Sequence, residues 1–162
     1  MRDIDNTADT LDICDIIERI EELREERDSL KEEEAEAQTD VTFTSHGDGD
    51  VTGELAERLE KAKAELAAWE EVEAEELAAL ESFVDEMKGY GGDHQWQGDR
   101  YPVTLIRDSY FVDYAAELAD DIGAIDRNAT WPLNCIDWDK AASELQMGYG
   151  SADFDGVTYW YR

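Results

Sequence analysis

An α+β fold follows from three features of the chain. Its N-terminal part holds two long runs of apolar residues at helical spacing, the composition turns aromatic after residue 88, and an Asp-Gly pair separates strand-like runs near residue 155. Together they predict a long antiparallel helical hairpin, coiled-coil-like in its packing, followed by a small α+β module that ends in a β-hairpin. The expected domains are residues 1–90, the acidic hairpin, and residues 91–162, an aromatic-cored module.

The first helix is expected to begin near Asp9 or Thr10, either of which can cap free N–H groups, and to run to about Ala37. Ile13, Ile16, Ile20, Leu23, Arg27 and Leu30 fall at heptad spacing, a seam with one charged interruption at Arg27. The Thr/Asp/Gly-rich segment from Gln38 to Thr52 breaks this period and reads as a loop, with a short extended piece at Val41 and Phe43 as an alternative. The second helix follows from Gly53 to Lys88, with Leu55, Leu59, Ala62, Leu66, Trp69, Leu77, Leu80, Val84 and Met87 along one stripe and Gly89 as its stop. Folding back around a loop centred near His46 lets each stripe cover the other.

Gly89-Tyr90-Gly91-Gly92 marks the boundary, and the remaining residues supply a core of Trp, Tyr and Phe. Tyr101 to Ile106 reads as a short strand near Pro102, and Asp108-Ser109 as a cap for a helix from Tyr110 to Ile122 stopped by Gly123. Trp131-Pro132 falls in a loop. Asp137 is expected to cap a fourth helix through Leu145, and Asp155-Gly156 to form a two-residue type I′ turn before the strand Val157 to Tyr161.

Charge bounds the function. Forty-three acidic against 14 basic residues give a formal net charge of -29, of which residues 1–92 carry -21 (30 acids, 9 bases). Such a polyanion repels nucleic acid and anionic membranes, so the expected partner is a basic nucleic-acid-binding protein or complex, with no direct nucleic acid and no membrane. Cys14 and Cys135 lie outside any metal-binding or redox spacing, no apolar run approaches the roughly 18 residues of a membrane span, and MRDIDNTADT lacks a leader pattern. A cytoplasmic protein is the expectation.

Catalysis finds little support in the pattern. His46 and His94 sit near no Ser, Cys or carboxylate at an interpretable spacing. Asp48-Gly49-Asp50 lacks the further ligands and closing Glu of a calcium loop, and Gly89-Tyr90-Gly91-Gly92 follows a helix instead of opening one. The reading is therefore a non-enzyme that uses no cofactor and no metal. Its densest acidic clusters, Glu70, Glu71, Glu73, Glu75 and Glu76 on the second helix and Glu21, Glu22, Glu25 and Glu26 at the facing height of the first, are the expected partner-binding residues.

The run Ile136-Asp137-Trp138-Asp139-Lys140-Ala141-Ala142-Ser143-Glu144-Leu145, then Tyr149 and Phe154-Asp155-Gly156-Val157-Thr158-Tyr159-Trp160, resembles the C-terminal end of ArdA-type antirestriction proteins. The resemblance covers residues 101–162 at its widest, and residues 1–90 have no counterpart in it. It implies a phage or mobile-element protein that works in the host cell's cytoplasm and blocks a defence nuclease, a restriction enzyme or CRISPR effector, by presenting a DNA-like acidic surface. It further implies a homodimer, and it adds Asp137, Asp139 and Trp160 to the candidate contacts. The rival reading is a scaffolding coiled coil that mediates oligomerisation. Adaptation to a high-salt cytoplasm would also explain the acidity.

Overall fold

Helix α1 spans Ile13–His46 and helix α2 spans Gly53–Glu86 in the computed structural model. The structure describes residues 4, 6–46, 53–92, 94–126, 128 and 130–162, so Asp48-Gly49-Asp50 lies outside the described residues. The two helices pack antiparallel as a hairpin. Glu36 and Asp40 of α1 meet Arg58 of α2, and Arg19, more than a turn of hairpin away, meets Glu76. The expected seam is buried at Ile20, Leu23, Trp69, Leu77 and Leu80, while Leu30 and Leu66 are half-buried.

The loop expected from Gln38 starts later, because α1 continues to His46. Threonine usually competes with the helix for its own backbone. Here the hydroxyls of Thr39, Thr42 and Thr44 instead donate to the carbonyls of Ala35, Gln38 and Asp40, at 2.8, 2.7 and 2.9 Å. Burial completes the extension: Ala37 packs with Leu59 and Ala62, and Val41 lies against them, leaving Phe43 outside at 83% exposure.

The start of α1 also differs from expectation. Thr10–Asp12 is a strand, β1, and the helix begins only at Ile13. Asp12 is the residue that serves the new terminus, its Oδ1 accepting from the Cys14 N–H at 2.8 Å. Strand pairing outweighs the capping potential of Asp9 and Thr10, since Thr10 sits opposite Ile106 and the Arg107 N–H donates to the Asp9 carbonyl.

Strands β2 (His94–Trp96) and β3 (Asp99–Tyr101) form a small hairpin. Strands β4 (Thr104–Arg107), β5 (Gly150–Phe154) and β6 (Val157–Tyr161) join β1 in an antiparallel sheet ordered β1-β4-β6-β5. The single strand expected over 101–106 is thus divided at Pro102, which has no N–H to continue a ladder. Alternation along β6 sends Tyr159 and Tyr161 to one face and Trp160 to the other. On the first face Phe83 stacks on Phe154 at 5.1 Å and meets Tyr159 edge-on at 6.0 Å. On the second, Ile106 packs with Phe111 and Ala115 of α3 (Phe111–Asp121) and Ala142 of α4 (Trp138–Gln146).

Asp108 does not cap α3. It begins a 3-10 turn, and its carboxylate accepts from the Trp160 indole N–H at 2.7 Å. Asp137 does cap α4, accepting from the Lys140 N–H at 3.0 Å. Trp131 stands apart from the aromatic core at 76% exposure, while Tyr90, 58% exposed, sets its ring edge-on to the buried Tyr161 at 5.7 Å.

Contacts gather the chain into two compact units, residues 18–81 and residues 1–17 with 82–162. Ile20 is fully buried in the first. Ile20→Asp should cost about 3 to 5 kcal/mol by leaving an uncompensated charge in the seam, read as a lowered denaturant midpoint. In the second unit Asp155 and Gly156 have φ of 47° and 77°, with open space around the Gly156 Cα. Gly156→Val should therefore cost about 1 to 2 kcal/mol through backbone strain alone. Loss of near-ultraviolet dichroism before helical dichroism in that variant would show that the hairpin and the module melt separately.

Candidate functional site

Residues 18–81 carry 23 acidic and 7 basic side chains, a net charge of -16. The bases are not spread at random along this unit. Arg19 forks onto Glu76 through two 2.8 Å hydrogen bonds and also reaches Glu22 at 3.5 Å. Arg24 pairs with Glu81 at 2.7 Å, and Arg58 with Asp40 at 2.8 Å. These pairs link α1 to α2. Others lie along one helix: Arg27 with Asp28, Lys61 with Glu65 and Lys63 with Glu60.

Subtracting these pairs divides the expected contact residues. Glu76 is committed to Arg19, whose guanidinium it holds more firmly protonated, and Glu22 shares that cation. Glu25, Glu26, Glu70, Glu71, Glu73 and Glu75 have no ion pair among the described residues, and all but the half-buried Glu73 are exposed. Glu21 is exposed as well, with an interaction of its own. Because α1 and α2 run in opposite directions from the Arg19–Glu76 bridge, residues 21–26 and residues 70–75 occupy the same stretch of the hairpin. The structure thus brings the two expected clusters to one level.

The module's candidates have structural duties. Asp137 caps α4, and Trp160 is half-buried, its N–H held by Asp108 and its ring 5.9 Å from that of Phe111. Asp139, in the first turn of α4, is exposed and has no ion pair among the described residues.

Two features escaped the sequence reading. Cys14 Sγ lies 3.3 Å from His94 Nδ1, a contact made by the first turn of α1 and the start of β2 across 80 residues of sequence. Partial burial of the sulfur, then its hydrogen bond to Asp12, pushes the thiol's pKa up, so the pair is a poor nucleophile. The second is an open cleft of about 570 Å³ in the module, lined by Arg100, Thr104, Ile106, Tyr114, Tyr149 and Arg162. Its residues come from β3, β4, α3 and the segments after α4 and β6, and no local motif unites them.

The Arg19–Glu76 fork should be worth more than an ordinary surface pair. A double-mutant cycle with Arg19→Met and Glu76→Gln should give a coupling of about 1 kcal/mol, against near zero for the 3.6 Å Lys61–Glu65 pair. Equal couplings would reduce the fork to solvated charge. Comparison of the chain with family models, curated proteins and solved structures found no match.

Proposed function

We propose that the protein is a phage or mobile-element inhibitor of a host defence system, a restriction enzyme or CRISPR effector, and that it occupies the partner's nucleic-acid groove as an acidic mimic of DNA. The observation that carries this reading is the cluster of carboxylates at one level of the hairpin that have no ion pair among the described residues, Glu25 and Glu26 with Glu70, Glu71, Glu73 and Glu75. Charge density supports it. Residues 18–81 hold a net -16 along roughly 43 Å of helix, where B-DNA carries roughly 26 phosphates. A basic groove built for phosphates would meet rather more than half the charge it expects, on a rigid support.

The hairpin's stripe supports the same choice over a scaffold. Ile20, Leu23, Leu77 and Leu80 are at most 4% exposed within a single chain, so the helices need no second copy to cover them. Exposed large apolar side chains on the two helices are Phe43 and Val72. What the helices offer outward is charge. The likeness of residues 136–160 to antirestriction proteins points the same way, and a dimer, if formed, would use another surface. The protein acts by binding, without catalysis or cofactor, in the cytoplasm of the host cell. Among the described residues no helix is long and apolar enough to cross a membrane.

Purification of the tagged protein from host lysate, with mass spectrometry of what it retains, should return a nucleic-acid-binding defence complex from which duplex DNA displaces it. Changing Glu70, Glu71, Glu73 and Glu75 together to Lys should weaken that binding at least tenfold, mainly through association rate, and so should changing Glu25 and Glu26. Glu76 is left intact because it holds Arg19. Raising salt from 0.15 M to 1 M shortens the screening length from about 8 to about 3 Å, so wild-type binding should collapse. Binding indifferent to salt and to both charge reversals would overturn mimicry and favour the scaffold.

A further inference from the structure

The cleft of about 570 Å³ is independent of the acidic hairpin, since all its lining residues fall between residues 91 and 162. Its chemistry runs against the composition of the chain. With 43 carboxylates for 14 cations, an arginine has little difficulty finding a partner, and Arg19, Arg24, Arg27 and Arg58 each hold one. Arg100 and Arg162 do not: among the described residues neither side chain makes an ion pair or hydrogen bond, yet both line this cleft. A guanidinium is a planar fork of donors with the geometry of phosphate or carboxylate oxygens. Two exposed arginines at one opening suit an anion with more than one acceptor group.

The rest of the lining sets the size and character of that anion. The volume lies within the range of roughly 300 to 1,000 Å³ common for organic ligands, so inorganic phosphate alone would leave most of the cleft unfilled. Tyr114 and Tyr149 add phenol rings, their hydroxyls 3.0 Å apart. One O–H is spent in that bond, and the other remains to donate to a ligand. Burial, then the bond to Tyr149, pushes the Tyr114 pKa far up, which keeps it a neutral donor at physiological pH. Thr104 contributes a further hydroxyl and Ile106 an apolar floor. We propose that this cleft binds a small phosphorylated ligand of nucleotide size, its phosphates on Arg100 and Arg162 and its ring system beside Tyr114 and Tyr149. Residues 93–162 carry a net charge of -8, which opposes any anion at long range; beyond about 8 Å physiological salt screens this field, and at contact the two forks dominate.

Titration calorimetry on the full chain tests this with ADP, GDP, CDP and UDP as probes, and adenosine and inorganic pyrophosphate as controls. At least one nucleotide should bind with one-to-one stoichiometry, adenosine should give no heat, and pyrophosphate should bind more weakly than that nucleotide. Arg100→Gln and Arg162→Gln should each weaken the binding by about tenfold to a hundredfold while helical dichroism stays unchanged. Tyr149→Phe keeps the ring and supplies a second readout should an arginine variant fail to fold; a loss of about threefold or more is expected. No binding of any of the four nucleotides at millimolar concentration would overturn the proposal. So would unchanged affinity in the folded variants, or pyrophosphate bound as tightly as the nucleotide.

Discussion

The hairpin exists because burial of its seam outweighs the repulsion of its surface. Ile20, Leu23, Trp69, Leu77 and Leu80 are each at least 95% buried, and burial of a large apolar side chain is worth about 1.5 to 3 kcal/mol. Like charges three or four residues apart on a helix cost only about 0.2 to 0.5 kcal/mol per pair. A short row of buried side chains therefore offsets many carboxylate neighbours, and the surface is free to be as acidic as function requires. The cross-helix pairs at Arg19, Arg24 and Arg58 tie α1 to α2 near both ends of the seam, and partly exposed pairs of this kind add little stability.

Periodicity was the most legible part of the chain because it reports which residues must leave water together. The seam residues, the α3 and α4 helices with their stops, and the Asp155-Gly156 turn could all be located in sequence, since the signal and its structural cause lie within a few residues of one another. Failures came where a distant partner decided a local choice. Thr10–Asp12 is extended because β4 stands beside it, more than ninety residues on. Asp108 is drawn from capping to an indole on β6, and Thr39, Thr42 and Thr44 stay helical with the support of Leu59 and Ala62 on the opposite helix. The β2–β3 hairpin is different: Gln97 and Gly98 have φ of 50° and 88°, and a Gln-Gly pair between short polar strands is too weak a local signal to stand out.

The candidate site divides along the same line. Density of glutamate is a property of sequence, so the clusters at 21–26 and 70–76 were visible and the hairpin set them level. Which of those carboxylates remain available depends on where the seven cations of residues 18–81 settle, and that follows only from packing. Glu76 and Glu75 are adjacent in sequence and opposite in role, one bound in a fork and the other exposed with no ion pair among the described residues. The cleft between Arg100 and Arg162 was invisible for a stronger reason, because its walls meet only after the sheet has formed.

The order β1-β4-β6-β5 leaves β5, among the described residues, with one side of its backbone outside the ladder. An open edge of this kind is a template on which another molecule's strand can add, the first step toward aggregation. Here the edge strand Gly150–Phe154 carries Asp153, and Asp155 sits at the adjoining turn. A second copy approaching edge to edge would set these carboxylates against their own kind. Acidity on this chain thus guards a sheet as well as coating a hairpin.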